Sequence, residues 1–138
     1  MRRKIITLLS AVALLTTFGA TTLSAGSKPF LILGKLPHLT GMVKMLWDDE
    51  DLALSKEQKI KLIEVRKYTM TNAKALGREI NALEAEIVKR SDAGDKPADL
   101  QKSVSKLASL RAKATMVHLD CIYNTREILS EDQLYILE

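Results

Sequence analysis

Few side chains in this sequence are suited to chemistry, and they fall in two small groups. His38 and Met42 stand four residues apart, with Met45 close by. His118 and Cys121 stand three apart, with Met116 and Asp120 adjacent. Residues three or four apart share one face of a helix. Imidazole, thiolate and thioether donors together favour soft or borderline ions, so His38, Met42, His118 and Cys121 form a candidate set for zinc, copper, nickel or cobalt. The same residues also suit plain packing, with the methionines as adaptable core filling and His118 and Cys121 on a buried helical stripe. Cys121 is the only cysteine. It is a buried thiol, a ligand or a bridge to a second chain, because no intrachain disulfide can form.

Catalytic patterns are missing. The chain has no glycine-rich phosphate loop, no CxxC pair and no Ser-His-Asp set in an activating context. The reading is therefore of a non-enzymatic protein that needs no cofactor, with a bound transition metal as the option left open.

A second candidate surface is electrostatic. Between Ser55 and Arg90 there are nine basic and five acidic residues. Lys59, Arg66, Lys67, Lys74 and Arg78 lie among apolar residues of the same stretch. Positive charge beside exposed apolar surface suits capture of unfolded chains, charge attracting them and weak apolar contact holding them. An ordinary solvated helix face has the same composition.

The elements that position these residues begin with a phrase written twice. LSKEQ covers Leu54 to Gln58, and LSEDQ covers Leu129 to Gln133. In each, a serine precedes a glutamine by three residues. The serine hydroxyl can accept from a free N–H of the first helical turn while the glutamine reaches back to the serine N–H. That is a capping box, with the preceding leucine placed for a hydrophobic staple. Leu54, Ser55 and Gln58, and Leu129, Ser130 and Gln133, thus mark two helix starts of one design. Glu57, Glu131 and Asp132 sit at the positive ends of the two helix dipoles.

The N-terminus reads as an export signal over residues 1–24. Arg2, Arg3 and Lys4 precede an apolar run from Ile5 to Ala20, then small residues with cleavage near Ser24 or Ala25. The run is shorter than the roughly 20 residues of a membrane span, which leaves a retained anchor as the rival reading. Loss of the three basic residues takes the formal charge from +4 to +1, and with it goes any argument from net charge for nucleic-acid binding. What remains is about 114 residues, one domain with one modest core.

Residues 25–38 form an irregular lead-in containing Pro29, Gly34 and Pro37. The domain proper spans 39–138. A first helix is expected from Leu39 to about Leu52, fraying in the acidic run Asp48 to Asp51. A second runs from Ser55 to about Arg90. Its apolar residues Ala73, Leu76, Ile80, Leu83 and Ile87 recur at intervals of three and four, which is a packing seam. Gly77 within it marks either a bend or a close helix contact. SDAGDK, Ser91 to Lys96, is a turn, and Pro97 suits the first turn of a third helix reaching about Glu127. Its expected inner residues are Leu100, Val104, Leu107, Ala114, Cys121 and Ile128. A short helix from Gln133 to Leu137 follows. The short turn predicts an antiparallel hairpin of two long helices in an all-α fold, which could bring the two histidine groups near one end.

An export signal, four helices, a long hairpin and two LTxxQ-like motifs together resemble the Spy/CpxP family of periplasmic stress proteins, to which the metal-resistance proteins ZraP and CnrX are related. The resemblance spans roughly Leu39 to Leu137, with serine in both motifs where the family usually has threonine. It implies a periplasmic homodimer joined through its long helices into a curved cradle. It further implies an ATP-independent chaperone for unfolded or misfolded envelope proteins, a stress adaptor docking on a membrane sensor, or a metal sensor. His38 and Met42 are similar to the His-x-x-x-His pair of the metal sensors with Met in the second place. His118 departs from that pattern, because Ile122 stands four residues on.

Overall fold

The computed structural model describes residues 28–32 and 34–137. The expected export signal lies outside them. The described residues are helical with no strand: α1 is Leu39–Met45, α2 Lys56–Asp92, α3 Pro97–Ile128 and α4 Glu131–Leu137.

α1 stops seven residues short of the expected Leu52, and the acidic run supplies the reason. The Asp49 carboxylate accepts from the backbone N–H groups of Asp51 and Leu52, both at 3.0 Å. A short acidic side chain that binds its own backbone competes with the helix. Ala53 then takes a left-handed conformation, φ 44°, and turns the chain into the first capping box.

α2 has 37 residues, about 55 Å at 1.5 Å per residue. Its far end closes in a Schellman arrangement. Gly94, at φ +90°, donates to the Ser91 carbonyl at 3.0 Å, and Asp95 donates to the Arg90 carbonyl at 3.1 Å. The Arg90 guanidinium clamps this turn through Asp95 at 2.7 Å and the Asp99 carbonyl at 3.1 Å. Its hydrogen bond to Asp95 raises its pKa.

α3 packs back along α2, with Pro97 in its first turn. Ile80 and Leu83 of the expected seam are buried, and Leu76 and Ile87 pack beside them with Leu107, Leu110 and Ala114 of α3. Two expectations fail in detail. Val104 is 50% exposed, and Leu110 takes the inner place instead. At Gly77 the close helix contact is not found, since a Cβ there would meet no heavy atom within 4 Å.

A second apolar cluster sits at the other end. Val43 of α1, Leu52, Leu62 of α2, Leu129 just after α3 and Leu137 of α4 form it, with Met42, Trp47 and Leu54 packed on its edge. The inner face of α3 between the clusters is partly polar: Thr115, His118 and Thr125 are buried there with Cys121.

Candidate functional site

The two capping boxes form as expected. Gln58 N–H donates to Ser55 Oγ at 3.1 Å and Ser55 N–H to Gln58 Oε1 at 3.0 Å. Gln133 N–H donates to Ser130 Oγ at 3.2 Å and Ser130 N–H to Gln133 Oε1 at 3.0 Å. The fold also brings the two boxes together. Gln58 Nε2 donates to Gln133 Oε1 at 2.7 Å, and Gln133 Nε2 to Gln58 Oε1 at 3.2 Å. Each amide spends its second N–H on a carbonyl just before the other box. Gln58 donates to Ile128 at 2.9 Å and Gln133 to Leu52 at 2.8 Å. Two duplicated local motifs are thus one reciprocal clasp, joining the starts of α2 and α4. Each amide has two donors and two acceptor lone pairs, and all are used.

The histidine groups also meet. His38 and His118 stack with ring centroids 4.8 Å apart and planes 18° from parallel. Phe30 lies against His118, also at 4.8 Å. The irregular lead-in holds this stack. Leu31 N–H donates to Thr115 Oγ1 at 2.8 Å, and Arg111, paired with Glu84, donates to the Lys28 carbonyl at 3.1 Å. His118 Nδ1 is buried with no hydrogen-bond partner. Burial lowers the His118 pKa, the charge of His38 and then Lys28 adds to this, and a hydrogen bond with Pro37 opposes it.

Cys121 is buried one turn on, with its sulfur 3.7 Å from the Thr40 hydroxyl. A thiol so placed is not presented to a second chain. Met42 packs with the apolar cluster below the stack. Near-parallel rings send their in-plane lone pairs side by side, so convergence on one ion requires the exposed His38 ring to turn. Among the described residues no group of three or more His, Cys, Asp or Glu is placed to hold a metal.

The basic residues of α2 divide. Lys67, Lys74 and Arg78 are exposed, whereas Lys59 and Arg66 are half-buried. Lys59 is engaged by Asp48 at 2.9 Å and lies 5.5 Å from the centre of the Trp47 ring. Ile60, Ile63 and Met70 are exposed, at 60%, 55% and 40%. Residues 60, 63, 67, 70 and 74 repeat at three and four. At 100° per residue they form a second stripe, roughly a third of the way round the helix from the inner seam.

Sequence reasoning missed the pairing of Gln58 with Gln133. A signal for it existed: both boxes carry glutamine, where glutamate serves equally as a cap but has no N–H to give. No family model, no characterised protein and no solved structure matches this chain.

Proposed function

We propose that this protein is an exported, ATP-independent chaperone or envelope-stress adaptor that captures unfolded or misfolded chains and works as a homodimer. The single observation that carries the reading is the outward stripe of α2. Ile60, Ile63 and Met70 stand exposed in line with Lys67 and Lys74. Scattered apolar residues on a surface are normal, but a line of them rimmed by one charge marks an interaction surface. A helix packed on one partner along one seam has no internal use for a second. The duplicated motif and its resemblance to the Spy/CpxP family support the same reading, and the family's pairing of long helices gives the dimer.

The test is suppression of aggregation of a reduced, unfolded substrate by the purified protein, with Ile63→Asp/Met70→Asp beside it. The reading expects suppression near one dimer per client and at least a tenfold weaker effect in the double variant, with unchanged helicity. No suppression by the parent protein sinks it.

A second reading, a sensor or resistance protein for zinc, copper, nickel or cobalt, is favoured by one observation. The unpartnered Nδ1 of His118 lies beside His38 and one turn from Cys121. Calorimetry decides it. Micromolar or tighter binding, abolished by His118→Ala, promotes this reading over the first.

A further inference from the structure

A cleft of about 450 Å³ lies between α1 and the first turns of α2, lined by Thr40, Val43, Trp47, Leu62 and Ile63 with Lys44 and Arg66. The geometry points to a binding site for a free long-chain carboxylate, an anionic head on a single aliphatic tail. This inference does not rest on the chaperone reading.

The cleft has two different ends. Contacts fix the direction of α1. Trp47 lies by Lys59, in the first turns of α2. Thr40 meets Cys121, seven residues before Ile128, whose carbonyl receives Gln58. That places Thr40 about 10 Å along the hairpin from the clasp, at 1.5 Å per residue. Arg66, eight residues after Gln58, lies at about 12 Å by the same measure. α1 therefore runs antiparallel to α2. The hydroxyl of Thr40 and the guanidinium of Arg66 share one end, and the Trp47 indole and Leu62 the other, with Lys44 on the α1 wall between.

The two cations that line the cleft are uncommitted. Lys59, at the indole end, is neutralised by Asp48. Lys44 and Arg66 have no described carboxylate within ion-pair reach. Two unpaired cations beside an apolar trough are complementary to a carboxylate with its tail laid along Val43, Ile63 and Leu62. Lys59, held by Asp48, lies against the Trp47 ring, so the indole end offers no free cation, which sets the anionic head at the Arg66 end and the tail towards Trp47. At about 30 Å³ per water-sized group the cleft of about 450 Å³ holds about 15 groups, enough for a carboxylate head and a tail of roughly ten to twelve carbons. Its volume falls in the range of ligand pockets, about 300–1,000 Å³.

Trp47 is the only tryptophan of the chain, so its fluorescence reports this cleft alone. Octanoate, decanoate and dodecanoate, each below its micellar concentration, are titrated into the purified protein, with decanol as the neutral probe. The expected result is a saturable Trp47 response with Kd falling about two- to fourfold per added methylene, the range between half and full burial. Decanol binds at least tenfold more weakly than decanoate. Arg66→Gln and Lys44→Gln each weaken decanoate about tenfold, as loss of a charged hydrogen-bond donor does, and leave decanol unchanged. Four outcomes overturn the proposal: no saturable response; equal binding of decanol and decanoate; a Trp47 signal that moves with protein concentration alone, which assigns the cleft to a second copy; and a response only to decanoate-containing vesicles, which assigns it to a membrane surface.

Discussion

Replacing Gln133 by glutamate separates two accounts of the duplicated motif. If the glutamine only caps α4, glutamate does the same work, because the capping box accepts either residue. A carboxylate in the first turn also gains from the helix dipole, by about 0.3–1 kcal/mol. That account expects Gln133→Glu to be neutral or slightly stabilising. The clasp expects the reverse. Gln133 Nε2 donates to the buried Leu52 carbonyl and to Gln58 Oε1, and glutamate has no N–H for either. Two net hydrogen bonds are lost, about 1 kcal/mol each. A carboxylate oxygen also faces two acceptors in a place where Gln133 is only 9% exposed, at a further cost of about 1–3 kcal/mol. Offset by the dipole, the sum is about 3 kcal/mol of destabilisation at neutral pH.

Urea unfolding followed at 222 nm measures this directly, since a shift of midpoint at constant slope is a change in stability. For a domain of this size each 1 kcal/mol moves Tm by about 4 °C, so a fall of about 12 °C is expected. Acid pH supplies an internal check. Facing acceptors favours the protonated carboxyl, so its folded pKa is raised above the ordinary glutamate value of about 4.3. The stability of the protonated form is then fully present below about pH 4.3 and lost as pH rises through the folded pKa. The deficit against the parent protein therefore shrinks on acidification. A variant as stable as the parent at pH 7, or a deficit that does not move with pH, refutes the clasp. In a double-mutant cycle, Gln58→Ala and Gln133→Ala must also couple by about 1.5 kcal/mol or more, because each leaves the other's amide unpaired.

Three further outcomes are expected. The lowered His118 pKa means the folded state binds fewer protons than the unfolded one. Stability is complete above the ordinary histidine value of about 6.5 and falls with acidification towards the folded pKa, by up to about 1.4 kcal/mol per pH unit. His118→Leu flattens that limb in urea titrations between pH 7 and 5, and a limb unchanged in this variant removes His118 as its cause. Gly77→Ala stabilises by about 0.8–1 kcal/mol, since the site is helical with open space around it, whereas Gly94→Ala at φ +90° costs about 1–2 kcal/mol; thermal melts of the pair show opposite signs. Leu52→Ala, at a fully buried position joined to the clasp through its carbonyl, costs about 3–4 kcal/mol in the same melts.

The legible parts of the fold are those that one helix settles alone. The seam through Ile80 and Leu83 is a period and needs only a partner. The capping boxes are contacts between residues three apart. The Pro97 start and the Gly94 stop are backbone restrictions of single residues. What escaped reading depends on two segments at once. Val104 and Leu110 are both apolar on α3, and the phase that chooses between them is set by where α2 lies. Thr115 and Thr125 are polar by type, so a hydropathy pattern leaves them off the inner face. They are buried because Thr115 accepts from Leu31 and donates to the Arg111 carbonyl at 2.8 Å, and Thr125 donates to the Cys121 carbonyl at 2.7 Å. The end of α1 escapes an argument from charge because Asp49 acts by accepting from the nearby backbone. His38 and His118 were each singled out, yet their stack exists only because the lead-in lies along α3.

These pieces explain why the outward stripe of α2 stays free. α1, α4 and the clasp gather at one end, where Leu52, Leu62, Leu129 and Leu137 share a core. The lead-in takes the flank of α3 through Thr115 and the His118 stack. Every short element of the fold is thereby committed to the base of the hairpin or to the α3 side. No described segment covers Ile60, Lys67 and Met70, although a helix in a folded protein gains most of its stability from packing its apolar face. α2 draws that stability from a single seam and the Arg90 clamp at its tip, so its second stripe is surplus to folding. Polar substitutions along it should leave the helix standing, and this separates a surface kept for a partner from one kept for the core.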